Sequence, residues 1–253
     1  MNKLSLEGYL EEADLSELLR ELGAQNVDLV VREISHFTRK EAEKRDKIVL
    51  GYLGEDGVNK IVDSIIAGLS SHPKLKLNAE ILDVGAGSGF FTRRIAAKMK
   101  KLVPTASFYA MDTTPAMLLA LAKKKENISP FFGIAENIAG SIENAKKYAT
   151  VPRRFDAVLS TLMLHHCPEV NKVFRSVRHI LKPMGKAVII DLSAHTFTEF
   201  KDEMGDLHLG FDPDLIRKAA KQVFSEVSIE QLAGIRCSSS GRSAELFVAT
   251  LKP

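Results

Sequence analysis

A doubly wound, mostly parallel α/β sheet of seven strands, with an antiparallel C-terminal hairpin at its edge and a helical N-terminal cap, is the fold this sequence predicts. Three observations lead there. From residue 79 onward, short continuous apolar runs alternate with helix-forming segments, the pattern of a parallel sheet buried on both faces. The last two runs are joined by a short polar stretch, too short for a crossover helix. Residues 1–70 carry helical periodicity, and "SSHPKLKLNA" (70–79), polar and proline-bearing, reads as a linker to a Rossmann-like unit over 79–253.

The N-terminal cap begins with "DLSELLRELG". Asp14 stands as N-cap, Glu17 follows three residues on, leucines recur at 15, 18, 19 and 22, and Gly23 stops the helix. "EDGVNKIVDSIIAGLSS" repeats the pattern, with Val58, Ile61, Val62, Ile65, Ile66 and Leu69 on one face. The mixed stretch 27–50 is also read as helix. The strands expected next are 79–85, 107–112, 130–135, 155–162 and 186–193, separated by helices 90–101, 115–125, 136–149 and 168–181. A helix over 213–222 precedes "FSEVSIEQLAG" and "SAELFVATL", the hairpin strands, with "IRCSSSGR" as their connection.

Composition narrows the function classes. A chain of 253 residues that is 45% apolar can bury a substantial core. Its net charge of +3, spread along the sequence, argues against nucleic acid or an anionic membrane as partner. The two cysteines, Cys167 and Cys237, lack CxxC spacing, so neither a zinc nor an iron–sulfur site is expected. No apolar run approaches the ~20 residues that span a bilayer, and the acidic N-terminus lacks a secretory pattern. A soluble cytoplasmic protein without stable membrane insertion is expected.

The chemistry starts at "ILDVGAGSGFFTRRIAAKM" (81–99), where an apolar strand ends in Asp83 and three glycines, Gly85, Gly87 and Gly89, lead into a helix. Glycine permits positive φ and lets a ligand lie on bare backbone, and the following helix offers free N–H groups. A dinucleotide fold wants GxGxxG; here the third glycine comes one place early and Phe90 occupies the position that needs a small residue. No GxxxxGK[ST] phosphate loop occurs either, so pyrophosphate loses ground. Asp83 points instead to a ligand with a cation at that place. S-adenosylmethionine has an α-amino acid end and a ribose end without phosphates. "YAMD" then puts Asp112 at the tip of the second strand, where an acid can take both ribose hydroxyls or cap the helix that "DTTPAML" begins.

The ordered set "ILDVGAGSG", "YAMDTTPAML", "GIAENI", "FDAVLSTLMLHH" and "VRHILKPMGKAVIIDLS" resembles class I S-adenosylmethionine-dependent methyltransferases, closest to the small-molecule branch that includes ubiquinone/menaquinone-type enzymes. The resemblance covers about residues 79–193 and leaves out 1–70. It implies that Asp83 and the backbone of Gly85, Ala86, Gly87 and Gly89 hold the methionine end, and that Asp112 holds the ribose. It further implies that Thr113 and Met117 flank the adenine, that Ala135 presents its N–H to an adenine nitrogen, and that Thr161 lies below the sulfonium. The family's usual Asp, which bonds the adenine amino group, is replaced by Ile134, so either Glu136 substitutes for it or that bond is absent.

Methyl transfer needs alignment and exclusion of water, with a base only where the nucleophile must lose a proton. Candidate bases are His165 and His166 in "LHHCP", against a reading in which one packs and the other caps helix 168–181. Asp191 ends the fifth strand. The long segment 195–211, read as a lid, adds His195, Glu203, Asp206 and His208, with a solvated loop as the alternative. His165, His166 and His208 are the catalytic candidates. Cys167 is expected to be a packed thiol, since "HHCPEV" reverses the Pro-Cys order of cysteine-nucleophile methyltransferases. The lysine clusters 98–101, 123–125 and 146–147 are placed at helix C-termini, away from the ligand, where they meet the helix dipole. A small-molecule acceptor is therefore expected over RNA or protein; a non-catalytic S-adenosylmethionine sensor or partner subunit and, further off, a nicotinamide oxidoreductase are the rivals. The helices of 1–70 are open to three uses: a roof over the pocket, substrate contacts, or a homodimer interface.

Overall fold

The computed structural model describes residues 4–35 and 37–253. Four helices lead: α1 (Leu6–Glu12), α2 (Leu15–Glu21), α3 (Val27–Ser35) and α4 (Arg39–Ser70). Asp14 caps α2 by accepting the Glu17 N–H at 2.9 Å, and Thr38 and Glu41 close a reciprocal capping box on α4. Gly54, at φ 65° and ψ 164°, interrupts α4 and divides it into two helical arms.

The alternating region supplies β1 (Glu80–Val84), α5 (Phe90–Met99), β2 (Ser107–Asp112), α6 (Pro115–Lys123), β3 (Ile128–Phe132), α7 (Ile138–Ala145), β4 (Phe155–Thr161), α8 (Val170–Ile180) and β5 (Leu181–Leu192). Then come α9 (Glu199–Met204), α10 (Pro213–Ala220), β6 (Glu226–Ser239) and β7 (Arg242–Lys252). The seven strands order as β3-β2-β1-β4-β5-β7-β6. β1 to β5 pair in parallel, and β7 runs antiparallel to both β5 and β6. The fold class and the seven strands are as the sequence predicts, and three details differ. β3 starts two and ends three residues earlier than expected, because Phe131 and Phe132 pair with Met111 and Asp112 and the chain turns at Gly133. β5 starts at Leu181, where it pairs with Phe155 before a bulge. Most of "IRCSSSGR" is strand, since Arg236 to Ser239 pair with Glu245 to Arg242, so the hairpin turn shrinks to Ser240 and Gly241.

Two apolar cores cover the two faces of the sheet. Leu82, Val84, Met111 and Phe131 pack with α6, α7, α8 and α10 on one face; Ile81, Leu159 and Ile190 pack with α4 and α5 on the other. Strand alternation divides the residues between them. The N-terminal helices share these cores: Leu18, Leu19 and Leu22 join the first, and Ile61, Ile65 and Leu69 join the second. Tyr9 of α1 stacks on Tyr148 with ring centroids 4.5 Å apart and exchanges a hydrogen bond with Asn144 of α7. The linker is held by Lys186, a fully buried lysine of β5 that donates to the Ser71 carbonyl and, at 2.6 Å, to that of Pro73. This organisation leaves the carboxyl ends of the parallel strands open to a cleft, where open α/β sheets bind ligands.

Candidate functional site

Two cavities meet above those strand ends. The larger, about 190 Å³, is lined by Gly87, Asp112, Thr113, Met117, Ala135 and Glu136 from the sheet side and by Leu29, Val30 and Ile34 of α3 from above. The smaller, about 90 Å³, is lined by Ala86, Phe90, Phe91, Thr161 and His165, with Tyr52 of α4 and Cys237 of β6. Arg45, Gly85, Gly87, Leu162 and His166 border both. Leu162 has φ 55°, a left-handed conformation that costs a leucine about 1–3 kcal/mol, and it sits on the shared wall.

The three glycines have different reasons to be glycine. A Cβ on Gly89 would lie 2.4 Å from Leu121 of α6, so this glycine serves helix packing, and it lines neither cavity. A Cβ on Gly85 would strike Met163 at 2.0 Å. At Gly87 a Cβ would meet no atom within 4 Å, and the backbone, at φ 54°, lies open to both cavities. The loop is held from two sides. Asp112 of β2 accepts the Gly87 N–H at 2.7 Å and the Thr114 N–H at 2.8 Å. On the other side Asp46 of α4 accepts from the Ser88 hydroxyl at 2.7 Å, from Arg93 at 2.6 Å and from Lys124 at 3.0 Å, while Lys124 also donates to the Ser88 carbonyl at 2.9 Å. Lys124 thus corrects the expectation that the lysine clusters lie away from the ligand side.

Asp83 lies beneath this loop. It is 2% exposed, accepts the Thr92 hydroxyl at 2.5 Å through Oδ2, and lines neither cavity. Its Oδ1 has no hydrogen bond among the described residues, and burial pushes the acid up to about 7. Thr113 hydrogen-bonds the Gly133 carbonyl at 2.9 Å, and burial raises the Glu136 carboxyl above its ordinary range. Thr161, at the tip of β4, has a buried Oγ1 with no partner among the described residues.

The two adjacent histidines divide their roles. His165 is 4% exposed and its Nδ1 is 2.6 Å from Asp191 of β5. The same Asp191 accepts the Leu164 and Leu192 N–H groups at 2.7 and 2.8 Å, so it is an ionised acceptor and His165 Nδ1 is the donor. Burial opposes charge on His165, yet the Asp191 carboxylate, with Asp206 beyond it, holds the imidazole above its usual range. His166 donates from Nδ1 to the Gly205 carbonyl at 3.0 Å; burial and its neighbour His165 keep it neutral, well below the usual range. His208 is not brought to either cavity: its Nε2 bonds the Cys167 carbonyl at 3.0 Å and its ring packs on Phe211. Of the other acids and histidines in 195–211, Glu203 turns away to Ser239 and Ser240, and His195 packs on Phe197 and Phe200. Among the described side chains of this segment, Asp206 is the acid that faces the histidine pair, its Oδ1 3.5 Å from His165 Nε2. The Cys167 thiol is buried against Met163 and held far above the thiolate range, which suits a packing role.

Sequence reasoning missed Arg45. Its guanidinium borders both cavities and reaches over the Phe37 ring at 5.4 Å. Burial holds it below the ordinary guanidinium range. No local pattern marks it in a helix rich in charge; only the arm of α4 before Gly54 brings it to the loop.

A methyltransferase-domain family matches residues 82–189. The ubiquinone/menaquinone biosynthesis C-methyltransferase UbiE of Rickettsia prowazekii is 31% identical over 117 residues, which is 46% of this chain and 46% of that one. The chain therefore spans under half the length of this relative. Among solved structures, a DhpI complex with SAH aligns with a TM-score of 0.60 at 15% identity over 89% of this chain and 97% of that one. Phosphoethanolamine N-methyltransferase 2 of Haemonchus contortus, solved with S-adenosyl-L-methionine, aligns at 0.54 and 18% identity over 76% of this chain and 52% of that one. At these identities the structural likeness speaks for the fold. Residues 82–189 thus carry the methyltransferase-domain match, and the sheet order and glycine loop around them have the Rossmann-like form of the methyltransferase structures the chain aligns with.

Proposed function

We propose that the protein transfers a methyl group from S-adenosylmethionine to a small-molecule acceptor by in-line displacement. The observation that supports this reading is the pair of cavities meeting at a shared wall on the strand tips: one cleft over the glycine loop and the acid of β2, one separate chamber beyond β4. The chain's residues fit the cofactor. Gly87 exposes backbone where a Cβ would meet open space, Asp112 keeps spare lone pairs on both oxygens for ribose hydroxyls, and Met117, Ala135 and Glu136 border the place for adenine. When bound, the cofactor supplies an already activated methyl group on a sulfonium.

Arg45 is assigned the methionine carboxylate, because a cation bordering both cavities and hydrogen-bonded to none of the described residues seeks an anion. Thr161 offers its unpartnered oxygen at the floor of the smaller chamber. His166 is the histidine of the three candidates that borders both cavities, so it is assigned the contact with the acceptor; His165 acts through it and through Asp191. α3 and the first arm of α4 exclude water from above, which fits the roof among the uses left open for residues 1–70.

Calorimetric titration tests the assignment. S-adenosylmethionine and S-adenosylhomocysteine should bind, NAD should not, and Asp112→Ala and Arg45→Ala should each weaken binding at least several-fold. Binding of NAD alone would overturn it.

A further inference from the structure

His165, His166 and Asp206 are close enough to share one ion: one ligand atom from each lies within 4.8 Å of the others. Three features separate this cluster from an ordinary polar contact. First, the Gly205 carbonyl and the Asp191 oxygens act as acceptors, so each ring keeps a proton on Nδ1, and a cation that displaces any second proton meets the ring at Nε2. The lone pair of each neutral ring is thereby placed on Nε2. Metal-ligating histidines are held in this way, by a carboxylate or carbonyl behind the ring. Second, Asp206 is 3% exposed, yet neither of its carboxylate oxygens has a hydrogen bond among the described residues. A buried acid left without donors is costly unless something else satisfies it. Third, the 3.5 Å between His165 Nε2 and Asp206 Oδ1 is long for a hydrogen bond and close to the span of about 3.4 Å between two ligands of a tetrahedral ion with bonds of ~2.0–2.1 Å.

We propose that His165 Nε2, His166 Nε2 and Asp206 form a binding site for a first-row divalent cation such as zinc on the wall of the smaller cavity. Two imidazoles and one carboxylate suit borderline divalent ions and leave coordination positions open. Asp191 and Asp206 together carry the negative charge that offsets the ion, against the opposing charge of nearby Arg45. His165 and His166 both line the chamber, so the open positions face it. An acceptor bearing a hydroxyl or another hard oxygen is the class such an ion would hold there. The ion site stands on its own geometry; its use for an acceptor rests on the methyl-transfer reading.

Protein freed of metal by chelation and dialysis is titrated with Zn²⁺ by calorimetry, and with Co²⁺ while its visible absorption is recorded. One ion per chain is expected, with a Co²⁺ spectrum of low coordination number. Asp206→Asn and His166→Gln should each weaken Zn²⁺ binding tenfold or more, and Asp191→Asn should weaken it by about 10–100-fold through the ring it orients. The wild-type titration stands even where a variant fails to fold: less than one ion per chain, or only millimolar binding, overturns the proposal. So does histidine nitrogen NMR showing His165 protonated on both nitrogens in excess Zn²⁺. S-adenosylmethionine binding to the metal-free protein separates the two readings. Cofactor binding without Zn²⁺ binding sinks the ion site alone; Zn²⁺ binding without cofactor binding sinks methyl transfer alone.

Discussion

Asp83 and Asp112 stand at the tips of neighbouring strands, and their surroundings make them different acids. Asp112 is tied to two backbone N–H groups, whereas Asp83 has one hydroxyl and one unpartnered oxygen. The Asp83 carboxyl titrates at about 7 in the folded protein against a reference of 3.8, so the folded state holds its proton more tightly. The sign follows: native stability falls as pH rises from 3.8 to about 7, and the loss is complete above that. Asp83→Asn removes this dependence. Urea melts should show the variant gaining on the wild type between pH 4 and 7, with a constant difference at higher pH. At this scale the sequence was legible where chemistry is local. The glycines, Asp112 and the "HH" pair announce themselves by spacing. Asp46, Lys124 and Asp206 do not, because each meets partners 36 or more residues away, as Lys124 meets Ser88 and Asp46; Arg45 does not either, because the cavities it borders are built from distant strands. His208 shows the converse failure: a histidine in a long loop looks catalytic until its ring is found bonded to the Cys167 carbonyl.

Among elements, α5 and α6 meet at Gly89, where Leu121 leaves no room for a side chain. Gly89→Ala combines a left-handed φ of 74° with overpacking, and should lower stability by about 1–3 kcal/mol, read as an earlier thermal transition. Strand and helix identity was legible because continuous apolar runs have few other uses in a soluble fold. The hairpin connection was not. Serine-rich polar sequence usually signals a loop, but in β6 Ser238 pairs with Ser243, their hydroxyls 2.8 Å apart, and tertiary pairing overrides the local preference. The two arms of α4 were equally hidden. Nothing in "GYLGEDG" says which of its glycines leaves the helix; Gly54 does, and the arm before it carries Arg45 and Asp46 to the glycine loop.

For the whole molecule, the larger cavity is bounded by both the N-terminal helices and the sheet, so a ligand bound there should stabilise the entire fold. At a free ligand concentration of 100 times Kd, S-adenosylhomocysteine should add about 2.7 kcal/mol. At about 2–4 °C per kcal/mol for a chain of this size, that is a rise of about 5–10 °C in Tm, which differential scanning fluorimetry would detect. NAD at the same concentration should leave the transition unmoved. Among the described residues, no helix is long and apolar enough to cross a membrane.

The sheet order carries a consequence for how the molecule comes into being. β7 lies between β5 and β6, though β6 precedes it along the chain. On the ribosome, β6 therefore emerges with no strand to pair with, although α4 and α10 are already made, and the hairpin that carries its Cys237 in the wall of the smaller chamber is complete only once β7 has followed. Nascent chains arrested before that point should bury their parallel strands yet leave β6 without its ladder partner, more open to proteases and chaperones than in the finished sheet. Synthesis itself thus decides when the smaller chamber first closes.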